Sequence, residues 1–302
     1  MKTAPVVSIV IPTRNRCTLL GEAMATVSEQ SFADWELIVV DDASSDDTLA
    51  WLATQHDPRL RVFRQETPAE RCAARNRGLA AARGAYVMFL DDDDILRPEA
   101  LAELVTALRA HPEAVAATAP NRTLMPNGDS MKLYWPPALT VRSIWKELLF
   151  GLNPVSGQNL YRTEGARKLG GFSSRYIPCE DRAFWLAVAW LGPVCIIPTV
   201  AMDYRVHAGQ MKWADIEIKR GDVWNDFIAT LPAREANEGR RIRRAVELIE
   251  AAERARQARQ FGSALGRLFA ACWISSYLMA STWTGRPIWW TIKKCLLRQG
   301  AP

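Results

Sequence analysis

The sequence predicts an α/β fold: a mixed, mainly parallel sheet flanked by helices, followed by a C-terminal helical appendage. Three observations predict it. Short apolar runs alternate with helix-length stretches four times within the first 110 residues, the signature of parallel strands joined by right-handed crossovers. Two of those runs, Trp35 to Val40 and Tyr86 to Leu90, stop abruptly at acids. From Arg234 onward the chain is helical in pattern and carries thirteen Lys/Arg against five Asp/Glu, so the formal net charge of +5 hides a first part at −3.

Val6 to Ile11 reads as a buried strand, and Pro12-Thr13-Arg14-Asn15-Arg16 as the loop leaving its carboxyl end. Thr18 suits the cap of a helix to about Glu29, with Leu19, Leu20, Ala23, Met24 and Val27 along one side. Trp35 to Val40 is a second strand that runs into Asp41-Asp42, and Ser44 to Asp47 suit the start of a helix over Thr48 to Gln55. A third strand, Leu60 to Arg64, leads to a helix over Ala69 to Ala82 that carries Arg71, Arg75, Asn76 and Arg77. Tyr86 to Leu90, bulky and β-branched, reads as a strand buried on both faces.

Four acids, Asp91 to Asp94, end that strand. In open α/β sheets ligands bind beyond the carboxyl ends of the strands, and adjacent carboxylates repel unless a cation or a set of donors compensates them. A divalent metal carrying a phosphate is the economical explanation. Pro98 suits the first turn of a helix to about Ala110, so one acid, Asp94 above all, could instead serve that helix start. Capping needs one acid, and there are four.

Ala114 to Ala119 is a further strand, and Thr123 to Tyr134 reads as a hairpin around Pro126-Asn127-Gly128-Asp129. Alternation is then lost, so the sheet becomes mixed. A helix near Val141 to Phe150, a strand over Gln158 to Tyr161 and a helix over Thr163 to Lys168 lead to Gly170-Gly171-Phe172. Glu180-Asp181 open the next helix, where acids contribute about 0.3–1 kcal/mol to helix stability and where one of them could also serve as a general base. Residues 193–198 and 200–206 are strand-like, and His207 follows them; such a histidine is more often a surface residue than a ligand. Helices are expected over Asp215 to Leu231 and Arg234 to Gln260, either packed on the domain or forming an arm.

Six cysteines lie scattered without CxxC pairs, which suits reduced thiols in a cytosolic protein. The amino terminus has neither the apolar length nor the cleavage region of a signal peptide. Leu268 to Gly285 is uncharged for eighteen residues, at the lower limit for a span, and Trp289-Trp290 stands close to Lys293-Lys294. Trp beside Lys suits a bilayer interface, so 262–298 is expected to lie in or dip into the cytoplasmic leaflet, making the protein cytoplasmic and peripheral. A buried helix bundle, a dimer contact or a true span are the other readings. No nucleic-acid-reading motif accompanies the positive charge.

Six pieces in order resemble family 2 glycosyltransferases of the GT-A (Rossmann-like) fold: Val7 to Asn15, Val39 to Thr48, Ala74 to Leu79, Leu90 to Asp94, Gly170 to Phe172 and Glu180-Asp181. The resemblance covers about residues 5–210 and implies a catalytic domain over 1–212 with a helical, basic and apolar region over 213–302. It implies that Pro12, Thr13, Arg14, Asn15 and Asp42 hold the nucleotide of a sugar donor, with Asp42 accepting from uracil N3–H and thereby favouring UDP. Asp91 and Asp93 resemble the outer acids of a DxD motif, Asp93 being the ligand of Mn²⁺ or Mg²⁺, although a run of four lets Asp92 take the contact instead. Arg75 is placed to reach the diphosphate or the sugar, and His207 resembles the family's late metal-binding histidine. Asp181, the second acid of the ED pair, is the expected base of an inverting transfer to a glycan or lipid-linked saccharide hydroxyl in cell-surface polysaccharide biosynthesis.

A QxxRW motif is missing, since Gln210-Met211-Lys212-Trp213 is one residue too short, which points away from processive synthases. A nucleotidyltransferase would want a Gly-rich loop where Pro12 to Arg16 stand. A catalytically silent nucleotide-sugar-binding or scaffolding subunit of a membrane glycan-assembly complex is the alternative from another class, and oligomers are compatible with either.

Overall fold

The computed structural model describes residues 4–132, 135–150, 152, 154–207, 213–258 and 260–274. The chain divides into two units, one of residues 1–144 and 153–220, the other of 145–152 and 221–302. The first unit thus runs to 220, and a short internal segment, 145–152, joins the second.

The first unit starts with β1 (Val7–Thr13), α1 (Cys17–Ser28), β2 (Trp35–Asp41), α2 (Thr48–Ala53), β3 (Leu60–Arg64), α3 (Glu70–Ala81) and β4 (Tyr86–Phe89). β1 pairs in parallel with β2 and β4, and β2 with β3, so four strands end at one edge. β2 is buried along its whole length and β1 everywhere but Pro12, which a strand tolerates when both faces are covered. The acid inside β2, Glu36, accepts from Ser8 Oγ and from the Arg61 and Arg83 guanidinium groups.

β1 continues through Pro12 and Thr13, where the sequence suggested a loop. Leu90 N donates to Val10 O as the last rung toward β4, so Pro12, whose nitrogen faces that side, sits beyond the ladder and deprives it of no bond. α1 has Arg16 as its N-cap and no side-chain cap, so Thr18 lies inside the helix and does not cap it.

Next come β5 (Ile95–Leu96), α4 (Ala100–Ala110), β6 (Ala116–Thr118), β7 (Asn121–Leu124), β8 (Ser130–Lys132) and β9 (Thr140–Arg142). Then follow α5 (Trp145–Phe150), β10 (Asn159–Arg162), α6 (Thr163–Lys168), α7 (Glu180–Leu191), β11 (Val194–Ile196) and β12 (Met202–Arg205). The main sheet has the order β3-β2-β1-β4-β10-β6-β11-β9. It is mixed as expected, because β10 runs antiparallel to β4 and β6 and β9 antiparallel to β11. The β7–β8 hairpin turns at Gly128, whose φ of 85° is the left-handed conformation that glycine accepts freely.

A second sheet, β5-β12-β7-β8, was not anticipated. β5 is only two residues long, directly after the four acids, and its pairing with β12 brings the end of that strand to them. The stretch read as one helix near 141–150 is β9 followed by α5. Phe89, Phe172 and Phe184 seat α7 on the sheet: Phe172 stacks on Phe184 at 4.4 Å and meets Phe89 edge-on at 4.7 Å.

The second unit consists of α5, the end of α8 (Trp213–Thr230), α9 (Ala233–Gln257) and α10 (Phe261–Ile274). Lys146 pairs with Glu238 at 2.6 Å, and Trp145 lies 6.3 Å from Phe227, which explains why 145–152 belongs here. Small residues on α9, among them Ala245, Ala252 and Ala255, let Ala264, Leu268 and Ala271 of α10 pack closely. Residues 262–274 of the proposed membrane segment are therefore helical and pack on α9, with Phe269 67% exposed. Among the described residues no helix is long and apolar enough to cross a membrane. The rest of that segment, with Trp289-Trp290 and Lys293-Lys294, lies outside the described residues, as does Gln210 to Lys212. The five described cysteines form no disulfide.

Candidate functional site at the carboxyl edge of the sheet

Beyond β4 the backbone turns at once, with Asp94 N donating to Asp91 O at 3.2 Å. The turn gives each acid different partners. Asp91 accepts from Arg75 Nη2 at 2.6 Å. Asp92 has both oxygens engaged, Oδ2 by Thr13 Oγ1 at 2.7 Å and Oδ1 by Arg16 Nη1 at 2.9 Å. Asp93 Oδ2 meets Arg16 Nη1 at 2.7 Å and His207 Nε2 at 2.9 Å. Asp94 is fully buried and accepts from Arg205 N at 3.2 Å, so it serves the join to β12 and does not cap α4, which starts at Ala100.

The repulsion expected of four neighbouring carboxylates thus has named remedies. Burial nevertheless pushes the Asp92 carboxyl up to about 6, against the bonds from Thr13 and Arg16 that favour its anion. Burial, then the charges of Asp91 and Asp93, drives Asp94 well above the usual carboxylate range. Arg205 also donates through its guanidinium to the Asp93 carbonyl and to Glu22, which ties the turn to β12 and α1.

Asp181 stands in the first turn of α7. Its neighbour Glu180 is 2% exposed and bonded by Arg75 Nη1 at 2.9 Å, with Arg71 Nε at 3.3 Å. Asp181 Oδ1 accepts from Arg182 N at 2.7 Å. Burial and the adjacent Glu180 charge push the Asp181 carboxyl up to about 6, while Arg75 and Arg182 pull it down. Arg75, expected to reach a diphosphate or sugar, is itself 4% exposed and spends its fork on Asp91 and Glu180.

The expected nucleotide-binding residues lie on the same edge. Asp42 N donates to Thr13 O at 2.8 Å, and the Asp42 carboxylate accepts from Gln65 Nε2, Ala69 N and Glu70 N at 2.7, 2.8 and 3.1 Å. Three of roughly four acceptor positions are thereby used. Asn15, at φ 53°, accepts from Ser45 N at 2.7 Å and donates its own N–H to Ser44 Oγ at 2.9 Å, while Arg14 is exposed. Contacts thus run from Asp42 through Thr13, Asp92, Arg16 and Asp93 to His207, and separately from Asp91 through Arg75 to Glu180 beside Asp181.

Sequence reasoning missed Arg16, Arg205 and the clamp made by Asn76. Asn76 Nδ2 donates to Phe172 O and its Oδ1 accepts from Phe172 N, both at 2.8 Å. Gly171, at φ 75°, makes room for it, since a Cβ there would stand 2.2 Å from Asn76 Oδ1. The Gly-Gly-Phe triplet was the signal for this contact; nothing local to Arg16 or Arg205 announces partners more than seventy positions away.

A mainly parallel sheet that gathers acids, an imidazole and arginines at its carboxyl edge, beside a helix opening on an ionisable acid, defines an α/β protein with charged side chains where such sheets hold ligands. The chain belongs to glycosyl transferase family 2, which it matches over residues 8–169, more than half its length. It is 30% identical over 185 residues to the uncharacterized protein y4gI of Sinorhizobium fredii, covering 60% of this chain but only 20% of that protein. It is 27% identical over 234 residues to UDP-Glc:alpha-D-GlcNAc-diphosphoundecaprenol beta-1,3-glucosyltransferase WfgD of Escherichia coli, covering 76% of this chain and 88% of the relative. The crystal structure of S. aureus TarS 1-349 in complex with UDP-GlcNAc superposes with a TM-score of 0.63 at 19% identity, over 80% of this chain and 71% of that one. The GT-A fold expected from the sequence is the fold found.

Proposed function

We propose that the protein is an inverting glycosyltransferase that moves a sugar from a UDP-sugar to a hydroxyl of a glycan or lipid-linked saccharide in cell-surface polysaccharide biosynthesis. The observation that carries this reading is that Arg75 joins the acidic turn after β4, through Asp91, to Glu180 beside Asp181, so that both acidic groups belong to one sheet edge. Burial pushes the Asp181 carboxyl up to about 6, the direction that makes it a better proton acceptor. The name of the E. coli relative, acting on a diphosphoundecaprenol-linked sugar, supports a lipid-linked acceptor.

In this reading Asp42 and the Pro12 to Asn15 segment bind the uridine. Asp42 keeps one acceptor position for the uracil N3–H. Asp181 takes the proton of the acceptor hydroxyl while that oxygen forms its bond to the anomeric carbon from the face opposite the diphosphate. The bond from that carbon to the diphosphate oxygen breaks with its electron pair, and configuration inverts.

Asp93 and His207 fit a hard divalent cation, Mn²⁺ or Mg²⁺, because a carboxylate oxygen and an imidazole nitrogen already face one another at 2.9 Å. Among the described residues no group of three or more His, Cys, Asp or Glu could hold a metal ion. Two protein donors with the remainder from phosphate and water is the way such ions are held beside substrate phosphates. Bound there, the ion would neutralise charge on the departing diphosphate. The basic tail would keep the protein at the cytoplasmic membrane face, near such acceptors.

Incubation with a panel of UDP-sugars, Mn²⁺ and an undecaprenyl-diphosphate-linked saccharide tests the proposal. A product heavier by one sugar residue, with anomeric configuration opposite to the donor's by NMR, is expected. Donor binding without transfer across donors and acceptors would favour a silent nucleotide-sugar-binding subunit instead.

A further inference from the structure

Arg16 is the group that neither the sequence motifs nor the proposed chemistry explains. A single nitrogen, Nη1, bonds Asp92 Oδ1 at 2.9 Å and Asp93 Oδ2 at 2.7 Å. That same Asp93 oxygen is the one 2.9 Å from His207 Nε2. Asp92 is differently placed: Thr13 holds its second oxygen, so it anchors the turn to β1. Asp93 Oδ2 is therefore claimed by Arg16 and, in the reading above, by a divalent cation.

Arg16 and His207 already occupy both acceptor positions of that oxygen, so a cation bound there must displace one of them. A cation bound at about 2.0–2.2 Å from Asp93 Oδ2 would bring its charge within about 5 Å of the guanidinium, a separation at which like charges disfavour one another strongly. Arg16 is free to leave. Its side chain is 33% exposed, and it sits at the N-cap of α1 without making a side-chain cap bond. It also adjoins the exposed Arg14 and Asn15. Its planar fork matches two oxygens of a diphosphate better than it matches the two separate carboxylates it now bridges with one nitrogen.

We infer that Arg16 is an exchangeable counter-cation, which neutralises Asp93 until a divalent cation takes that oxygen and then moves to the diphosphate of the donor. The inference rests on the donor and cation assigned under the proposed function and adds to it an ordered exchange of charges. Arg16 is a positioning and binding residue in this scheme and has no proton to transfer. The exchange keeps the acidic turn neutralised in both states.

Arg16→Gln tests it with two binding measurements and no turnover. Mn²⁺ alone, titrated by the electron paramagnetic resonance signal of the free ion, is expected to bind about tenfold more tightly to Arg16→Gln, a difference of about 1.4 kcal/mol. UDP, titrated calorimetrically at saturating Mn²⁺, is expected to bind about tenfold more weakly. A merely structural arginine would move both affinities down together. Arg16→Lys, which keeps a charge but not the fork, is expected to retain the Mn²⁺ isotherm of the unsubstituted protein while weakening UDP. An Mn²⁺ affinity unchanged or reduced in Arg16→Gln, with circular dichroism showing the fold intact, overturns the exchange. Failure of the unsubstituted protein to bind UDP at saturating Mn²⁺ overturns the donor reading itself, and the transfer to diphosphate with it.

Discussion

Arg75 Nη1 donates to Glu180 at 2.9 Å across 105 positions of sequence, with both side chains almost wholly buried, while Nη2 of the same guanidinium reaches Asp91 at 2.6 Å. One side chain on α3 thereby joins the acidic turn after β4 to the helix that carries Asp181. The strands deliver the acids to a common edge, and Arg75 fixes the distance between the two acidic groups.

Removing Arg75 leaves the carboxylate of Glu180 buried with only the more exposed Arg71 near it. Arg75→Gln is expected to destabilise the protein by about 3–5 kcal/mol, the cost of breaking a buried pair from one side. Chemical denaturation measures it. Glu180→Gln should cost less, because the amide oxygen still accepts from Arg75 and no buried anion is stranded. Equal losses in the two variants would contradict the pairing described.

Asp181 predicts a pH profile. In the proposed mechanism it works as the anion, so turnover is expected above about 6 and should fall about tenfold per unit as pH drops below that value. Since Arg75 favours the anion, any active Arg75 variant should show that limb shifted to higher pH.

The same group predicts a gain in stability when it is removed. Its folded-state pKa is raised, so ionisation costs the folded state free energy that is absent at low pH and develops as pH rises from about 4 to about 6. At pH 7 Asp181→Asn is expected to be more stable by about 1–2 kcal/mol, a value discounted for the partial exposure of the side chain. Chemical denaturation of Asp181→Asn at pH 4 and at pH 7 checks this: the gain should be present at pH 7 and small at pH 4.

The two neighbouring glycines should respond differently. Gly170 and Gly171 both have φ near 75°, but a Cβ at Gly170 meets nothing within 4 Å whereas one at Gly171 meets Asn76 Oδ1. Gly170→Ala is expected to cost about 1 kcal/mol from backbone conformation alone, and Gly171→Ala about 2–3 kcal/mol because the Asn76–Phe172 bonds are lost as well. Urea unfolding of the two variants checks the difference.

The tail carries a separate prediction. Deleting 275–302 is expected to move the protein from the membrane fraction to the soluble one with UDP-sugar binding retained. An unchanged distribution between fractions would rule out that segment as the membrane contact.

Much of this was legible in the sequence, for physical reasons. Short runs such as Val7 to Ile11, apolar but for Ser8, and Val87 to Leu90 read as strands covered on both sides, and the acids after Leu90 mark the ligand edge. What could not be read was non-local. β5 is two residues long and becomes a strand only by pairing with β12, which is how Arg205 and His207 come to the acids. α5 looks like part of the catalytic domain until its partners Phe227 and Glu238, some eighty and ninety positions on, are seen. Thr18 is a good cap by type, yet the helix starts one residue earlier, at Cys17. Arg75 was expected to reach a diphosphate or sugar, and its burial between Asp91 and Glu180 depends on partners far along the chain that no local pattern reveals.

In the proposed mechanism Asp93 and Asp181 act on one donor from two sides. Release of UDP from a UDP-sugar, followed with and without Mn²⁺ for the unsubstituted protein, Asp93→Ala and Asp181→Asn, tests it most directly. Mn²⁺-dependent release is expected, lost in Asp93→Ala and lowered by about 10²–10⁴-fold in Asp181→Asn with UDP binding retained. Release that is indifferent to Mn²⁺, or undiminished in Asp181→Asn, would contradict it.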